Sequence, residues 1–235
     1  MAVGRSRGGR GSAWHDGAMS DRRADRDLDL VLFGATGFTG GLTADYLAVE
    51  APAGLRWAIA GRNADKLEAV RQRLDEAGAS DVEVLVADST DTAALSDIAR
   101  RTRVVATTIG PYLEHGGPLV AACAEAGTDY LDLTGEPEFV DRMFVEHHQT
   151  AVRTGARLVH ACGFDSIPHD LGAYYTVQQL PSDEPITLRG VVRSGGMFSG
   201  GTFRSAMEQF GRASQMRAMY AARRRAEPRP EGRSS

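Results

Sequence analysis

The chain has 235 residues, 42% hydrophobic and 25% charged, with 31 acidic against 27 basic side chains and a net charge of −4. This composition excludes a wholly disordered chain and suits one large domain, or one domain with part of a second. The acidic balance lacks the basic footprint of a nucleic-acid binder, so neither DNA nor RNA is expected as a partner.

Residues 1–27 are rich in Gly, Arg, Ser and Asp and offer almost nothing to bury, which predicts a disordered extension. Met19 within it is a second plausible start. This segment lacks the apolar stretch of a signal peptide, and no run of about 18 apolar residues follows that could span a bilayer. Cys123 and Cys162 lie far apart in apolar surroundings and form neither a disulfide framework nor a C-x-x-C metal site. The expected compartment is the cytoplasm.

From Leu28 onward, short apolar runs alternate with amphipathic stretches, the signature of βα units on a parallel sheet. The pattern predicts strands at Leu30–Phe33, Trp57–Ala60, Val82–Val86, Val104–Thr107, Tyr130–Leu133 and Leu158–Ala161. Helices are predicted at Thr39–Val49, Ala64–Ala77, Thr92–Arg101, Gly117–Ala126 and Pro137–Thr154. Six strands with five intervening helices match a doubly wound, Rossmann-like α/β sheet over residues 28–180. Pro181 and Pro185 bracket an acidic turn that marks a boundary. Beyond it, Ile186–Arg193 alternates like a strand and Thr202–Arg225 reads as a helix, the beginning of a second α/β domain (181–225) that looks truncated. Residues 226–235 read as a frayed tail.

The strongest chemical signal is LDLVLFGATGFTGG, a buried strand running into Gly34, Gly37 and Gly40 and then a helix. Gly34 permits the tight turn, Gly37 lets backbone N–H groups approach a pyrophosphate, and Gly40 lets the helix pack close to the strand. The intervening Ala35, Thr36, Phe38 and Thr39 complete the expected phosphate loop. The second strand ends in Gly61, Arg62 and Asn63 where NAD enzymes commonly place an acid for the ribose 2′-OH. Arg62 suits a 2′-phosphate instead, which favours NADP; its bland alternative is a solvated helix start, and Asn63 doubles as an N-cap.

Asp88, followed by Ser89, ends the third strand where an adenine would lie, although Asp88 or Asp91 could equally cap the next helix. After the fourth strand, Gly110 and Pro111 force a turn at the carboxyl end of the sheet, from which Tyr112 and His115 can reach a substrate. In YLDLTGEPEF, Asp132 and Thr134 alternate out of an apolar strand and Glu136 opens the next helix, with Thr134 as its candidate cap. His147 and His148 face different directions on one helix, so no metal pair is expected.

Taken in order, GATGFTG, AGRN, ADSTD, TTIGPY, YLDLTGE and CGFDSIP resemble the saccharopine dehydrogenase-like oxidoreductases, most closely their actinobacterial trans-acting enoyl reductase branch. The resemblance runs from about Leu28 to about Arg217. It implies an NADP-binding domain followed by a substrate domain, and reduction of a carbon–carbon double bond on a polyketide-derived acyl chain in lipid synthesis. That reaction brings an acyl or lipid substrate, polyketide synthase machinery and peripheral membrane association as implied partners. On this chain the resemblance places the pyrophosphate at Gly34–Gly40, the adenosine phosphate at Arg62 and Asn63, and the nicotinamide ribose beside Gly110–Tyr112. Tyr112 and His115 are then the candidate donors to the oxyanion formed on hydride addition. Two rival readings remain: a catalytically silent NADP-binding fragment, and an amino-acid-adduct dehydrogenase using Arg204, Arg212 and Arg217, whose bland reading is a solvated helix face.

Overall fold

The structure, a computed structural model, describes residues 25–181, 185–193 and 211–227. Among them, six parallel strands form one sheet: β1 (Leu28–Phe33), β2 (Trp57–Gly61), β3 (Glu83–Val86), β4 (Thr102–Thr107), β5 (Asp129–Asp132) and β6 (Leu158–Val159). Their order is β3-β2-β1-β4-β5-β6, with Leu32 of β1 between Ile59 and Ala106. The connecting helices are α1 (Phe38–Glu50), α2 (Ala64–Glu76), α3 (Thr92–Arg101), α4 (Tyr112–His115), α5 (Gly117–Ala126) and α6 (Pro137–Thr154). Among the described residues, two further helices, α7 (Ile167–Gln178) and α8 (Ala213–Ala226), follow β6.

The strand order reverses direction after β3, and right-handed crossovers then dictate which face each helix covers. Ala44 of α1 and Leu67, Val70 and Leu74 of α2 pack with Leu32 and Ile59 on one face. Leu95 of α3, Val120 and Cys123 of α5 and Phe139 and Met143 of α6 pack with Val31, Phe33, Val105 and Tyr130 on the other. Successive β1 side chains therefore bury into different cores, which accounts for the unbroken apolar run in the sequence.

Helix α8 lies on α6 through charge. Arg212 donates to both oxygens of the buried Glu138 carboxylate at 2.8 and 2.6 Å. Arg223 reaches Asp141 at 3.0 Å and sits 5.0 Å above the Phe144 ring. Arg212, one of the arginines offered for a polar substrate, is thus an interhelix tie; Arg217 is exposed, and Arg204 lies outside the described residues. The strand expected at Ile186–Arg193 is absent, since residues 185–193 pair with no other strand among the described residues. Alternation selects a face, but only an available edge makes a strand.

At the amino edge of the sheet, Arg26 is buried although the sequence places it in the polar extension. Its guanidinium donates to the Ala99 carbonyl at 3.1 Å and the Ala126 carbonyl at 2.6 Å, and also to the Thr102 carbonyl and the Thr128 hydroxyl. It thereby gathers carbonyls from the C-terminal turns of α3 and α5, where partial negative charge accumulates. Arg26→Ala leaves those acceptors buried without the guanidinium and is expected to cost about 2–4 kcal/mol. The urea midpoint measures this, and a loss below about 0.5 kcal/mol, the range of an ordinary surface substitution, would contradict it.

Candidate functional site: the carboxyl edge of the sheet

The turn from β1 to α1 is built on backbone contacts. Gly34 adopts φ +100, a left-handed conformation that favours glycine, and a Cβ there would lie 2.7 Å from Ile109 Cγ1. A Cβ on Gly40 would lie 2.1 Å from the Gly34 carbonyl oxygen, so strand end and helix start touch where no side chain fits. The Thr108 hydroxyl donates to the same carbonyl at 3.2 Å, which ties the exit of β4 onto the loop.

Gly37 differs. Its φ of −82 is open to any residue, and a Cβ would meet only the Gly34 carbonyl at 3.4 Å. The protein itself makes little demand for glycine here; the missing side chain keeps the outer surface of the loop open, beside the exposed Thr36, Phe38 and Thr39. Ala35 is fully buried beneath them. Helix α1 also starts with no side-chain cap and no acid in its first turn. By contrast, Asn63 caps α2 by accepting from Lys66 N at 2.8 Å, and Asp91 caps α3 by accepting from Ala93 N and Ala94 N at 3.1 Å. The uncapped N–H groups and helix dipole of α1 fit an anionic group, and an open backbone face fits a pyrophosphate.

On the β2–β3 side, Arg62 is exposed directly after β2. Asn63 uses its side-chain oxygen as the α2 cap. Asp88 does not cap α3; its carboxylate accepts from Thr90 N at 2.9 Å and from the Thr90 hydroxyl at 2.7 Å, beside the half-buried Ser89. Those Thr90 bonds hold the Asp88 carboxyl below its usual range, with Arg62 and His115 adding a smaller pull. Arg62 and His115 therefore both lie within electrostatic reach of Asp88.

The β4–β5 side is organised by two buried carboxylates. The Gly110–Pro111 peptide is cis, and α4 begins immediately after it. Glu136 accepts from Tyr112 N at 3.0 Å and Leu113 N at 2.8 Å, while Arg142 donates to the Leu113 carbonyl at 3.1 Å. The glutamate that the sequence assigns to the first turn of α6 thus caps α4 instead.

Tyr112 does not present its hydroxyl to solvent. It is buried, donates to the Thr107 carbonyl at 3.2 Å and accepts from Leu133 N at 3.4 Å, and burial raises its pKa well above the ordinary phenol value. Two backbone partners and a packed ring, 5.7 Å from Phe139, correct its reading as a substrate donor: it braces the ends of β4 and β5. His115 is partly exposed, with Nε2 3.6 Å from Glu114.

Asp132, fully buried at the end of β5, accepts from Thr134 N at 3.0 Å and Ala161 N at 2.9 Å through Oδ1. Its Oδ2 lies 2.6 Å from His160 Nδ1. His160 and the capping role of Glu136 escape the sequence reading, although an aspartate inside an apolar strand signals that a buried partner must exist.

Residues 30–159 match the saccharopine dehydrogenase NADP-binding domain. The chain belongs to this family. The chain is similar to a Mycobacterium tuberculosis H37Rv protein provisionally named a trans-acting enoyl reductase, 49% identical over 193 residues. That alignment covers 80% of this chain and 46% of the relative. The trans-acting enoyl reductase of Mycobacterium ulcerans Agy99 is 48% identical over 160 residues, covering 68% of this chain and 38% of the relative. This saccharopine dehydrogenase-like chain thus spans less than half the length of either. Among solved structures, the saccharopine dehydrogenase (L-Glu forming) of Saccharomyces cerevisiae shares the fold, with a TM-score of 0.52 at 20% identity over 65% of this chain and 31% of that one.

The three glycines make separable demands. Gly40→Ala forces backbone atoms apart and is expected to lower stability by about 2–4 kcal/mol, as overpacking at a rigid contact does. Gly37→Ala is expected to leave the melting temperature within about 2 °C, since no protein atom blocks its Cβ, while weakening NADPH binding on the order of tenfold or more. Paired thermal unfolding and calorimetric titration check this. Equal affinity in Gly37→Ala and the parent would show that the open face of the loop is not the phosphate seat.

Proposed function

We propose that this chain binds NADPH across the β1–β4 junction. Its pyrophosphate rests on the Gly34–Gly40 loop, its 2′-phosphate pairs with Arg62, its adenosine lies beside Asp88 and Ser89, and its nicotinamide ribose lies beside Gly110–Tyr112. The observation that carries this reading is the unblocked Gly37 face at an uncapped helix start. An arginine stands at the end of β2 where an acid would favour NAD. The turn after Pro111 is held by Glu136 on the Tyr112 and Leu113 amides, by Arg142 on the Leu113 carbonyl, and by the Tyr112 hydroxyl on the Thr107 carbonyl. Asn63 contributes by starting α2 next to Arg62.

The activity we assign to the protein is NADPH-dependent reduction of a carbon–carbon double bond in a polyketide-derived acyl chain, in the cytoplasm and in concert with polyketide synthase machinery. Near 49% identity to a protein carrying the enoyl reductase name supports it. When bound, the cofactor supplies hydride; the chain's residues bind and orient it. Hydride addition places negative charge on the acyl carbonyl oxygen, and an N–H or O–H donor must meet it. With Tyr112 turned inward, His115 is the residue of the sequence-derived pair whose side chain remains accessible.

Residues 181–225 belong in this reading to the substrate domain. Exposed apolar side chains at Phe38, Leu42 and Tyr46 on α1 and at Leu171, Tyr174 and Tyr175 on α7 suit an acyl chain, an apolar partner or a membrane surface. No helix among the described residues is long and apolar enough to cross a membrane. The amino-acid-adduct reading loses Arg212 to its pairing with Glu138.

Calorimetric titration with NADPH and NADH tests the cofactor assignment. The parent chain is expected to prefer NADPH. A charge-assisted contact contributes about 1.5–3 kcal/mol, so Arg62→Ala should narrow the preference by about tenfold or more while leaving NADH affinity nearly unchanged. An unchanged NADPH-to-NADH ratio in Arg62→Ala would overturn the role of Arg62.

A further inference from the structure

His160 sits one residue beyond β6, and Asp132 is the last residue of β5. Both lie on the carboxyl edge of the sheet, on the far side of β4 from the glycine loop. In a sheet of this order a dinucleotide crosses the edge at the β1–β4 junction. With its adenosine half over Arg62 and Asp88, its nicotinamide half extends toward β4, β5 and β6.

The imidazole is fixed from several sides. Asp132 holds Nδ1 at 2.6 Å and is itself fixed by the Thr134 and Ala161 amides. Phe139 packs edge-on against the ring with centroids 5.5 Å apart, and Tyr130 lies tilted at 5.6 Å. Ala161, which follows it, has φ 59, so the chain turns sharply away immediately after the histidine. With Nδ1–H given to Asp132, Nε2 is the ring atom left for a ligand. No described residue bonds to it, and the side chain keeps 11% exposure.

A buried carboxylate that orients one nitrogen of a histidine while the other stays available is an arrangement that serves contact beyond the protein.

We infer that His160 is a hydrogen-bonding contact for the nicotinamide-ribose half of the dinucleotide, and that Asp132 is the positioning residue that aims it. This rests on the cofactor reading given above. The contact is polar, directed at a ribose hydroxyl or the carboxamide, and selective for the half of the cofactor that the glycine loop does not touch.

The test uses the full chain with ¹⁵N-labelled backbone amides and histidine rings, NADP⁺ as one probe and adenosine 2′,5′-bisphosphate as the other. His160→Gln assigns the ring signals. NADP⁺ is expected to move both the Gly37 amide and the His160 ring resonances, whereas the bisphosphate moves the Gly37 amide alone. His160→Gln should weaken NADP⁺ binding about three- to tenfold and leave bisphosphate affinity unchanged.

Asp132→Asn keeps an oxygen for the two amides, and it should mix the ring tautomers and diminish the NADP⁺-induced shift. If NADP⁺ moves Gly37 but not His160, or if His160→Gln weakens both ligands equally, the inference falls while the cofactor reading stands. If NADP⁺ moves neither signal in the folded chain, both fall together.

Discussion

Where β1 hands the chain to α1, the carbonyl of Gly34 occupies the space a side chain at residue 40 would need. That contact sets the depth at which α1 meets the sheet, and Thr108 ties the end of β4 to the same carbonyl. The two strands on either side of the topological switch are thereby held against one turn. The cleft at their carboxyl ends follows from that geometry, with α1 presenting unpaired N–H groups to it. Gly37, relieved of any packing duty, leaves its outer face clear.

Around this turn, buried carboxylates do the work that side-chain packing alone would leave undone. Glu136 organises the start of α4, Asp132 ties the ends of β5 and β6, and Glu138 and Asp141 receive the arginines through which α8 lies on α6. Glu136 and Asp132 each face several donors, and Glu138 and Asp141 each face an arginine, as a buried charge requires. At the opposite edge Arg26 plays the complementary part, a cation among helix-terminal carbonyls. The ordering of the carboxyl edge is therefore largely polar, whereas the two cores beneath it are apolar.

Much of this is legible in the sequence because it rests on local rules. The apolar runs and helical periods predict α3, α5 and α6 with the bounds observed, and Asn63 and Asp91 cap the helices they precede. The glycine spacing predicts a tight turn and close packing at the positions where the structure has them. What escapes is settled by residues distant in the chain. Glu136 reads as an ordinary first-turn acid until the fold brings α4 beside it, and His160 reads as strand interior until Asp132 is seen opposite. Arg26 sits in a segment whose composition suggests no burial at all, and its partners lie more than 70 residues away. The alternation at Ile186–Arg193 errs in the other direction, since it carries a strand pattern with no edge to join. Tyr112 shows that a position in the right loop does not fix where a side chain points.

Membership of the saccharopine dehydrogenase NADP-binding family and the geometry of the glycine turn bear on the same central claim, that this edge seats a phosphorylated dinucleotide. A crystal structure of the chain grown with NADP⁺ tests it most directly. The account predicts the pyrophosphate on the backbone amides of the Gly34–Gly40 turn and the 2′-phosphate against Arg62. A dinucleotide bound elsewhere on the molecule, or a glycine turn left empty at saturating NADP⁺, would contradict it.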